Sequence, residues 1–202
     1  MSDKLRRWLF HRESKQQHVA AFVLLFGSGL GLLASFMLSI ESLVLAKNSH
    51  AVLNCDLSSA LSCSAVASHW SAELLGFPNS FIGIVTLPVM VTIAVALLAD
   101  TKFPKWFMRA AQLGAVAGLL FAAWMFYMSY FEIGVLCPWC LTLDVGILLI
   151  FYGLLRYNVL SKNIEQRVLR WSVKKGYDTL ALASVVALAV AAILAKFGSG
   201  IL

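Results

Sequence analysis

The sequence predicts an all-α protein that crosses a membrane five times. Apolar residues make up 60% of the 202 residues and charged residues 13%, whereas soluble proteins carry about 45–50% and about 25%. A soluble domain of this size cannot bury so much apolar surface. Five separate segments are also long and apolar enough to span a bilayer as helices, which takes about 20 residues. Lipid is therefore the solvent that this composition fits.

The five apolar segments give the order of the predicted helices. The first follows a basic leader, an arrangement that also occurs in cleaved signal peptides. Its apolar stretch is longer than the roughly 7–15 residues of a typical signal core, so we interpret it as a retained span. The predicted spans are Val19–Ile40, Ser80–Ala99, Ala110–Phe131, Cys140–Tyr157 and Thr179–Phe197.

The lysine and arginine residues predict the orientation of these spans. Of the 16, five lie in the leader, three near the connection to the third span and six near the connection to the fifth. Only Lys47 and Lys196 fall on the other side. Cytoplasmic loops are enriched in these residues, so the N-terminus is predicted to be cytoplasmic and the C-terminus outside. The net charge of +6 thus indicates membrane topology rather than nucleic-acid binding.

The predicted domain organisation follows from this topology. A cytoplasmic leader, residues 1–18, precedes a four-span bundle, 19–157, whose long outer loop covers 41–79. A cytoplasmic loop, 158–178, then leads to the fifth span and a short outer tail, 179–202. All four cysteines fall on the outer side, where disulfides persist, unlike in the reducing cytosol.

The outer loop carries a pattern typical of an amphipathic helix. Val66, Trp70 and Leu74 recur every four residues, which predicts a helix over about 64–75 on the rim of the bundle. Pro78 suits the start of the second span, and Asn79 is placed there to face a cavity. Close helix packing in spans one and three is predicted from two glycine pairs, Gly27/Gly31 and Gly114/Gly118.

A Cys-x-x-Cys motif, Cys137-Pro138-Trp139-Cys140, stands at the N-terminal end of the fourth span. Free backbone N–H groups and the helix dipole stabilise a thiolate at such a position. The thiolate is the attacking species in disulfide exchange. The spacing also lets one cysteine resolve a bond that the other has formed. The motif therefore indicates a redox-active pair.

The second pair, Cys55 and Cys63, lies in the long outer loop. Three interpretations remain open at this point. In the first, this pair is mobile and passes electrons to the fixed pair. In the second, the cysteines form two structural disulfides that staple the loop. In the third, they bind zinc in a four-ligand cage. His50 and His69 lie in the same loop, but we interpret both as ordinary exposed histidines.

Electrons that leave the fixed pair need an acceptor. The sequence shows no dinucleotide or flavin motif, and Leu141 excludes the haem signature Cys-x-x-Cys-His. A lipid-dissolved quinone fits a cysteine pair at the membrane boundary. An apolar slot for its ring is predicted from four aromatic residues, Phe81, Trp124, Tyr127 and Trp139, although membrane-interface packing also explains Trp124 and Tyr127.

One acidic residue, Asp144, lies inside a predicted span, and another, Glu41, directly follows the first span. Asp144 follows Cys140 by one helical turn inside the fourth span. A carboxylate in lipid is costly and marks a functional position by default, so Asp144 is a candidate proton acceptor for quinone reduction. The alternative is a helix-end residue hydrogen-bonded to a neighbour. Glu41 lies close to the predicted outer surface and is given no role.

These motifs together resemble the bacterial members of the vitamin K epoxide reductase family. The resemblance covers about residues 19–157. It rests on four segments: Asn54-Cys55-Asp56, Ala60-Leu61-Ser62-Cys63-Ser64-Ala65-Val66, Phe77-Pro78-Asn79-Ser80-Phe81-Ile82-Gly83 and Cys137-Pro138-Trp139-Cys140. It implies a four-helix bundle around a quinone, with the fifth helix added to it. The same motifs argue against DsbB-type oxidases.

The resemblance also implies a role for each residue. Cys140 would react with the quinone and Cys137 would resolve it. Cys63 would exchange with Cys137, and Cys55 would pair with Cys63 and meet the partner. Asn79 would hydrogen-bond a quinone oxygen. Asp144 stands where vertebrate members carry a ring-contacting tyrosine, and the partner domain fused to some bacterial members is missing from these 202 residues.

The resulting hypothesis is a quinone-dependent thiol oxidase of the bacterial plasma membrane. It would oxidise a separate thioredoxin-fold, DsbA-like partner and pass the electrons to ubiquinone or menaquinone. We predict a monomer in lipid that uses no metal or flavin and binds no nucleic acid. The quinone contacts would be Asn79, Phe81, Trp139 and Asp144. The alternatives are a quinone or quinone-epoxide reductase and a non-enzymatic membrane protein with structural disulfides.

Overall fold

The computed structural model describes residues 12–48, 51–53 and 55–201. Residues 1–11, 49–50, 54 and 202, and with them the predictions for the leader, His50 and Asn54, lie outside the described residues. Five of the described helices are long and apolar enough to cross a membrane. They are α1 (Arg12–Lys47), α3 (Ser80–Leu98), α4 (Lys105–Tyr127), α5 (Pro138–Leu160) and α7 (Tyr177–Ile201). The predicted all-α, five-span fold is confirmed.

The first helix extends further than the sequence suggested. The predicted span ended at Ile40, directly before Glu41. In the structure α1 continues to Lys47, so the connection to the second span begins at Asn48 instead of Glu41. Apolar residues that favour helices, among them Leu43 and Leu45, carry the helix on past Glu41. As a consequence, Glu41 lies inside α1.

The prediction of one amphipathic helix over 64–75 is wrong. The segment forms a short helix, α2 (Cys63–Ala67), and a separate 3₁₀ turn (Trp70–Glu73). The His69 ring accepts a hydrogen bond from the backbone N–H of Ser71, which starts a new turn at that point. Val66 is buried while Trp70 is 62% exposed, so the two do not share one apolar face.

The core of the bundle is a close contact between α1 and α5. A Cβ atom at Gly146 would lie 2.9 Å from the carbonyl oxygen of Gly27 and the Cα of Gly31, and one at Gly153 would meet the Ala20 carbonyl oxygen at 2.8 Å. The predicted close packing at Gly27 and Gly31 is therefore confirmed.

The second glycine pair behaves differently. A Cβ atom at Gly114 or Gly118 would meet its nearest neighbour at 4.0 Å and 3.8 Å respectively, which is ordinary contact. That part of the packing prediction is wrong.

The third span changes its geometry before it reaches the fourth. After α4, residues Met128–Ile133 form a π-helix that ends at Gly134, which has a positive φ of 71°. The chain then extends, and Leu136 pairs with Leu61 in an isolated β-bridge. Two hydrogen bonds of 2.9 Å, Ser62 N–H to the Leu136 carbonyl and Leu136 N–H to the Ala60 carbonyl, hold this bridge. It fixes the residues that immediately precede Cys63 and Cys137.

The fifth span is attached near both of its ends. Arg156 of α5 forms a 2.6 Å ion pair with Asp178 at the start of α7. Near the other end, Lys196 donates to the Tyr130 carbonyl, and buried Phe197 packs against Leu136 of the β-bridge. Many of the apolar side chains between these attachments are exposed, so this part of α7 offers them to lipid. A short helix, α6 (Arg167–Lys175), lies between α5 and α7 in the chain.

Candidate redox site

All four cysteines lie together at one end of the bundle, which we call the cysteine end. Cys55 and Cys63 form a disulfide with a Cα–Cα distance of 5.7 Å, and Cys137 and Cys140 are free thiols. The Cys137 thiol donates to the Cys63 Sγ across 3.3 Å. Disulfide exchange proceeds by attack of one sulfur on another, so this distance suits transfer between the two pairs.

Cys137 occupies the N-cap of α5. Its backbone is extended, and its Sγ accepts a 3.3 Å hydrogen bond from the backbone N–H of Cys140. Pro138 follows at the first helical position, where its missing N–H is not needed. The free N–H groups at a helix start favour a negative charge. This part of the motif therefore places the Cys137 sulfur at the start of α5, beside its free backbone N–H groups.

Asp56 closes the loop around the outer disulfide. Its carboxylate accepts hydrogen bonds from Ser62 Oγ at 2.7 Å, from the Leu53 N–H at 2.9 Å and from the Ser64 N–H at 3.0 Å. Burial acts to raise the pKa of Asp56, but these hydrogen bonds outweigh it and lower the pKa to about 2. Asp56 thus holds the segments on both sides of the disulfide together while it is ionised.

The outer disulfide is buried. Cys55 is 6% and Cys63 is 1% exposed, and both lie in a cluster with Leu53, Val66 and Cys137. Trp139 packs against this cluster. Burial therefore shields the Cys55 sulfur from solvent in this conformation.

An apolar cavity of about 170 Å³ lies beside the cysteines, between α1, α3, α4 and α5. An apolar cavity of roughly 150 Å³ is sufficient for a benzene ring. Its walls are mostly apolar but include three cysteines, the carboxyl group of Asp144 and the amide group of Asn79. The lining residues are Leu38, Ser42, Cys63, Val66, Ala67, Ala72, Pro78, Asn79, Ser80, Ile82, Gly83, Thr86, Gly118, Phe121, Ala122, Met125, Cys137, Cys140, Leu143, Asp144 and Ile147.

Two of the four predicted quinone contacts line this cavity and two do not. Asn79 and Asp144 are on its wall. Phe81 stacks on Phe77 instead, with ring centroids 6.5 Å apart, and Trp139 packs on the disulfide cluster. The predictions for Phe81 and Trp139 thus gain no support from the cavity.

The other two aromatic candidates for the ring slot also lie outside the cavity lining. Trp124 contacts Trp70, and Tyr127 packs against Phe131. These contacts are packing among aromatic residues, which is the alternative interpretation given for Trp124 and Tyr127 in the sequence analysis.

Asn79 is already engaged by the loop. Its Nδ2 donates to the Ser71 carbonyl at 2.6 Å and lies 3.9 Å from the Met125 sulfur, and its Oδ1 accepts from the Leu74 N–H at 3.3 Å. These bonds hold the 3₁₀ turn over one side of the cavity. The weak contact to Met125 leaves one amide hydrogen for a ligand.

Sequence reasoning missed Glu41. Its side chain is 8% exposed, and its Oε1 lies 2.9 Å from the Cys55 Sγ. Oε1 and the two disulfide sulfurs lie within 4.8 Å of one another. Thiolates, not disulfide sulfurs, bind metals, so this group is not a metal site in the state shown. The missed signal was an acidic residue inside a span, set aside because Glu41 stood at the predicted surface.

The chain was also compared with known proteins. The family model described as the vitamin K epoxide reductase family matches residues 22–155, which include all four cysteines and most of the four spans that surround the cavity. A comparison with curated proteins finds no sequence that matches the chain. Because this match covers more than half of the chain, the chain belongs to the vitamin K epoxide reductase family. Members of this family are multi-pass membrane oxidoreductases that act on disulfides and quinones.

Proposed function

We propose that the protein is a quinone-dependent thiol oxidase that supports disulfide formation outside the cytoplasm. The observation that carries the proposal is the contact of 3.3 Å between the Cys137 and Cys63 sulfurs, with Cys140 on the wall of an apolar cavity. The outer pair lies in the loop, with Cys63 also on the cavity wall, and both cysteines of the inner pair line the cavity. Electrons therefore have a continuous sulfur path from a protein partner to a lipid-dissolved acceptor.

The transfer balances as a series of disulfide exchanges. A thiolate of the reduced partner attacks Cys55 and breaks its bond to Cys63. The Cys63 thiolate attacks Cys137 in a Cys137–Cys140 disulfide and releases Cys140 as a thiolate. The partner's second thiol displaces Cys55, which then attacks Cys63 and frees Cys137. The partner has lost two electrons, and the inner pair has gained them.

The state of the sulfurs in this structure corresponds to the end of that exchange. The outer disulfide is closed and the inner cysteines are thiols. The inner pair is then ready to pass two electrons onward. A quinone in the cavity would accept them together with two protons. Asp144, on the cavity wall one helical turn from Cys140, is the carboxyl group available to relay a proton there.

The orientation and the partner are part of the proposal. Fourteen of the 16 lysine and arginine residues lie at the end opposite the cysteines or in the leader, which favours an extracytoplasmic cysteine end. The partner would be a separate thioredoxin-fold protein of the DsbA type. Because such a protein is strongly oxidising, with a reduction potential of about −120 mV, it needs an acceptor more oxidising than glutathione, and a quinone fits this need.

The central test uses the purified protein in lipid nanodiscs with a dithiol and a quinone. Cys140→Ala should abolish quinone reduction, because it removes the thiol next to the cavity. Val145→Ala, on the same helix but exposed, is the matched control and should keep full activity. Quinone reduction by Cys140→Ala at the native rate would contradict the assigned role. Turnover of a quinone epoxide without partner oxidation would instead assign the epoxide reductase alternative.

A second experiment addresses the partner. Cys63→Ala should accumulate a mixed disulfide between Cys55 and the partner in cells, because Cys55 has lost its internal resolving thiol. Cys55→Ala is the matched control and should trap no partner through this route. Equal trapping by both variants would show that the partner does not enter at Cys55.

A further inference from the structure

A buried carboxyl group touches the outer disulfide from the first span. Glu41 lies on α1, and its Oε1 is 2.9 Å from the Cys55 Sγ. The residue is 8% exposed, and its Oε2 has no hydrogen-bond partner among the described residues. The catalytic steps above assign no role to this residue, although it is in contact with a reacting atom.

The chemistry of the contact determines where its hydrogen comes from. A disulfide sulfur carries no hydrogen, so Cys55 cannot donate to Glu41 in this state. A protonated carboxyl group has one O–H donor, and sulfur is a weak acceptor. A carboxyl group that is buried without a cationic partner also avoids the cost of a buried charge by keeping its proton. The contact is therefore consistent with an O–H of Glu41 that points at the Cys55 sulfur.

We propose that Glu41 is the proton donor and acceptor for Cys55 in the exchange with the partner. The proposal rests on the function given above. When the partner's second thiol displaces Cys55, the thiolate takes the proton of Glu41 and leaves a carboxylate. When Cys55 then attacks Cys63, the carboxylate takes the proton back. Each cycle returns Glu41 to its starting form, with no net proton gained or lost.

The neighbouring titratable groups do not fill this role. Asp56, in the loop, is held by three hydrogen bonds and stays ionised. On α5, Cys137 contacts Cys63, and Cys140 and Asp144 line the cavity. Among the described residues, Glu41 is therefore the carboxyl group in contact with the Cys55 sulfur.

The kinetic test follows reduction of the Cys55–Cys63 disulfide by excess dithiol in a single turnover, without quinone. Glu41→Gln keeps the size and a hydrogen-bond donor but removes the acid. It should slow exchange at Cys55 by about 10²-fold, the lower range for a lost general acid–base group, and remove one titration from the pH profile. Glu73→Gln, an exposed carboxyl at the same end, is the matched control and should behave as native. A native rate and pH profile for Glu41→Gln would overturn the proposal.

A spectroscopic measurement keeps the proposal testable if Glu41→Gln does not fold. Infrared difference spectra between the oxidised and reduced native protein should show a protonated carboxyl band that changes with the state of the outer pair. Glu41→Asp, which keeps the acid on a shorter side chain, should shift this band. A native difference spectrum with no protonated carboxyl band would refute the proton exchange. Neither measurement uses quinone, so failure here is separate from failure of quinone reduction by the Cys140 pair.

Discussion

At the cysteine end, irregular backbone holds the reactive groups, whereas at the opposite end side chains connect one regular helix to another. The cysteine end combines a 3₁₀ turn, a π-helix and one β-bridge, and hydrogen bonds to Asp56 close its loop. At the opposite end, Asn158 of α5 donates to the Met108 carbonyl and to Gln112 of α4, and it accepts from Asn163. Hydrogen bonds to loop backbone therefore position the sulfurs at the cysteine end, whereas a buried side-chain network joins the helices at the opposite end.

The largest expected effect comes from Cys137, because it joins the two pairs. Cys137→Ala should reduce electron transfer from the outer pair to quinone by roughly 10³-fold or more, as expected when one member of a catalytic unit is lost. The melting temperature should fall only modestly, since the substitution removes the N-cap hydrogen bond of Cys137 but leaves the backbone β-bridge before it. Steady-state quinone reduction and thermal unfolding in the same lipid test both statements. Normal turnover would show that Cys63 passes electrons by another route.

Substitution of Asn158 tests the role of the buried hydrogen-bond network at the end opposite the cysteines. Asn158→Ala should lower the free energy of unfolding by about 1–3 kcal/mol, because the partners Gln112 and Asn163 lose buried hydrogen bonds. The activity of the folded fraction should stay at the native level, since the site lies at the far end of the bundle. Denaturation curves with activity per folded molecule measure both. A large loss of activity at unchanged stability would contradict the separation of the two ends.

The pH dependence of the loop provides a smaller effect. Because the folded pKa of Asp56 is about 2, below the usual value near 4, its carboxylate stabilises the closed loop at pH above about 4. That stabilisation is lost as the pH falls from about 4 through 2. The rate of disulfide reduction by a phosphine, which needs no thiolate, should therefore rise a few-fold in this range. In Asp56→Asn the rate should be high already at neutral pH and nearly independent of pH.

The smallest effect is expected at the surface of the opposite end. Lys105 and Glu165 form a 2.8 Å ion pair between exposed side chains, and Lys105 lowers the pKa of Glu165. Solvent screens such pairs, so Glu165→Gln should leave the melting temperature and the turnover within experimental error of the native values. A clear loss of stability would mean that this end depends on its surface charges as well as on Asn158.

The predictable part of the site was the part encoded by local sequence. The Cys137–Cys140 motif predicted a helix start, because a Cys-x-x-Cys with proline inside it precedes a long apolar run. Asp144 lies one helical turn after Cys140, so the sequence predicted that both side chains lie on the same side of α5, and both line the cavity. The packing of Phe81 on Phe77 and of Trp139 on the disulfide cluster could not be predicted, because the direction of each ring depends on which neighbours fill the space around it.

Glu41 shows more clearly that local sequence does not determine which distant side chains come into contact. The sequence places an acid near the end of an apolar run, which describes a residue reaching for the surface as well as one inside the bundle. The continuation of α1 to Lys47 and the folding of the loop over it bury this carboxyl beside Cys55. That contact joins residues 14 positions apart in sequence and on different elements.

The five spans, the grouping of the cysteines at one end and the family resemblance could all be predicted from the amino-acid sequence. These features depend on hydrophobicity, charge and spacing, which are properties of short segments. The folded chain was needed to show that Cys137 lies 3.3 Å from Cys63, that the outer disulfide is buried and that Glu41 reaches it. Such distances depend on how separate helices and loops pack, and no local pattern carries that information.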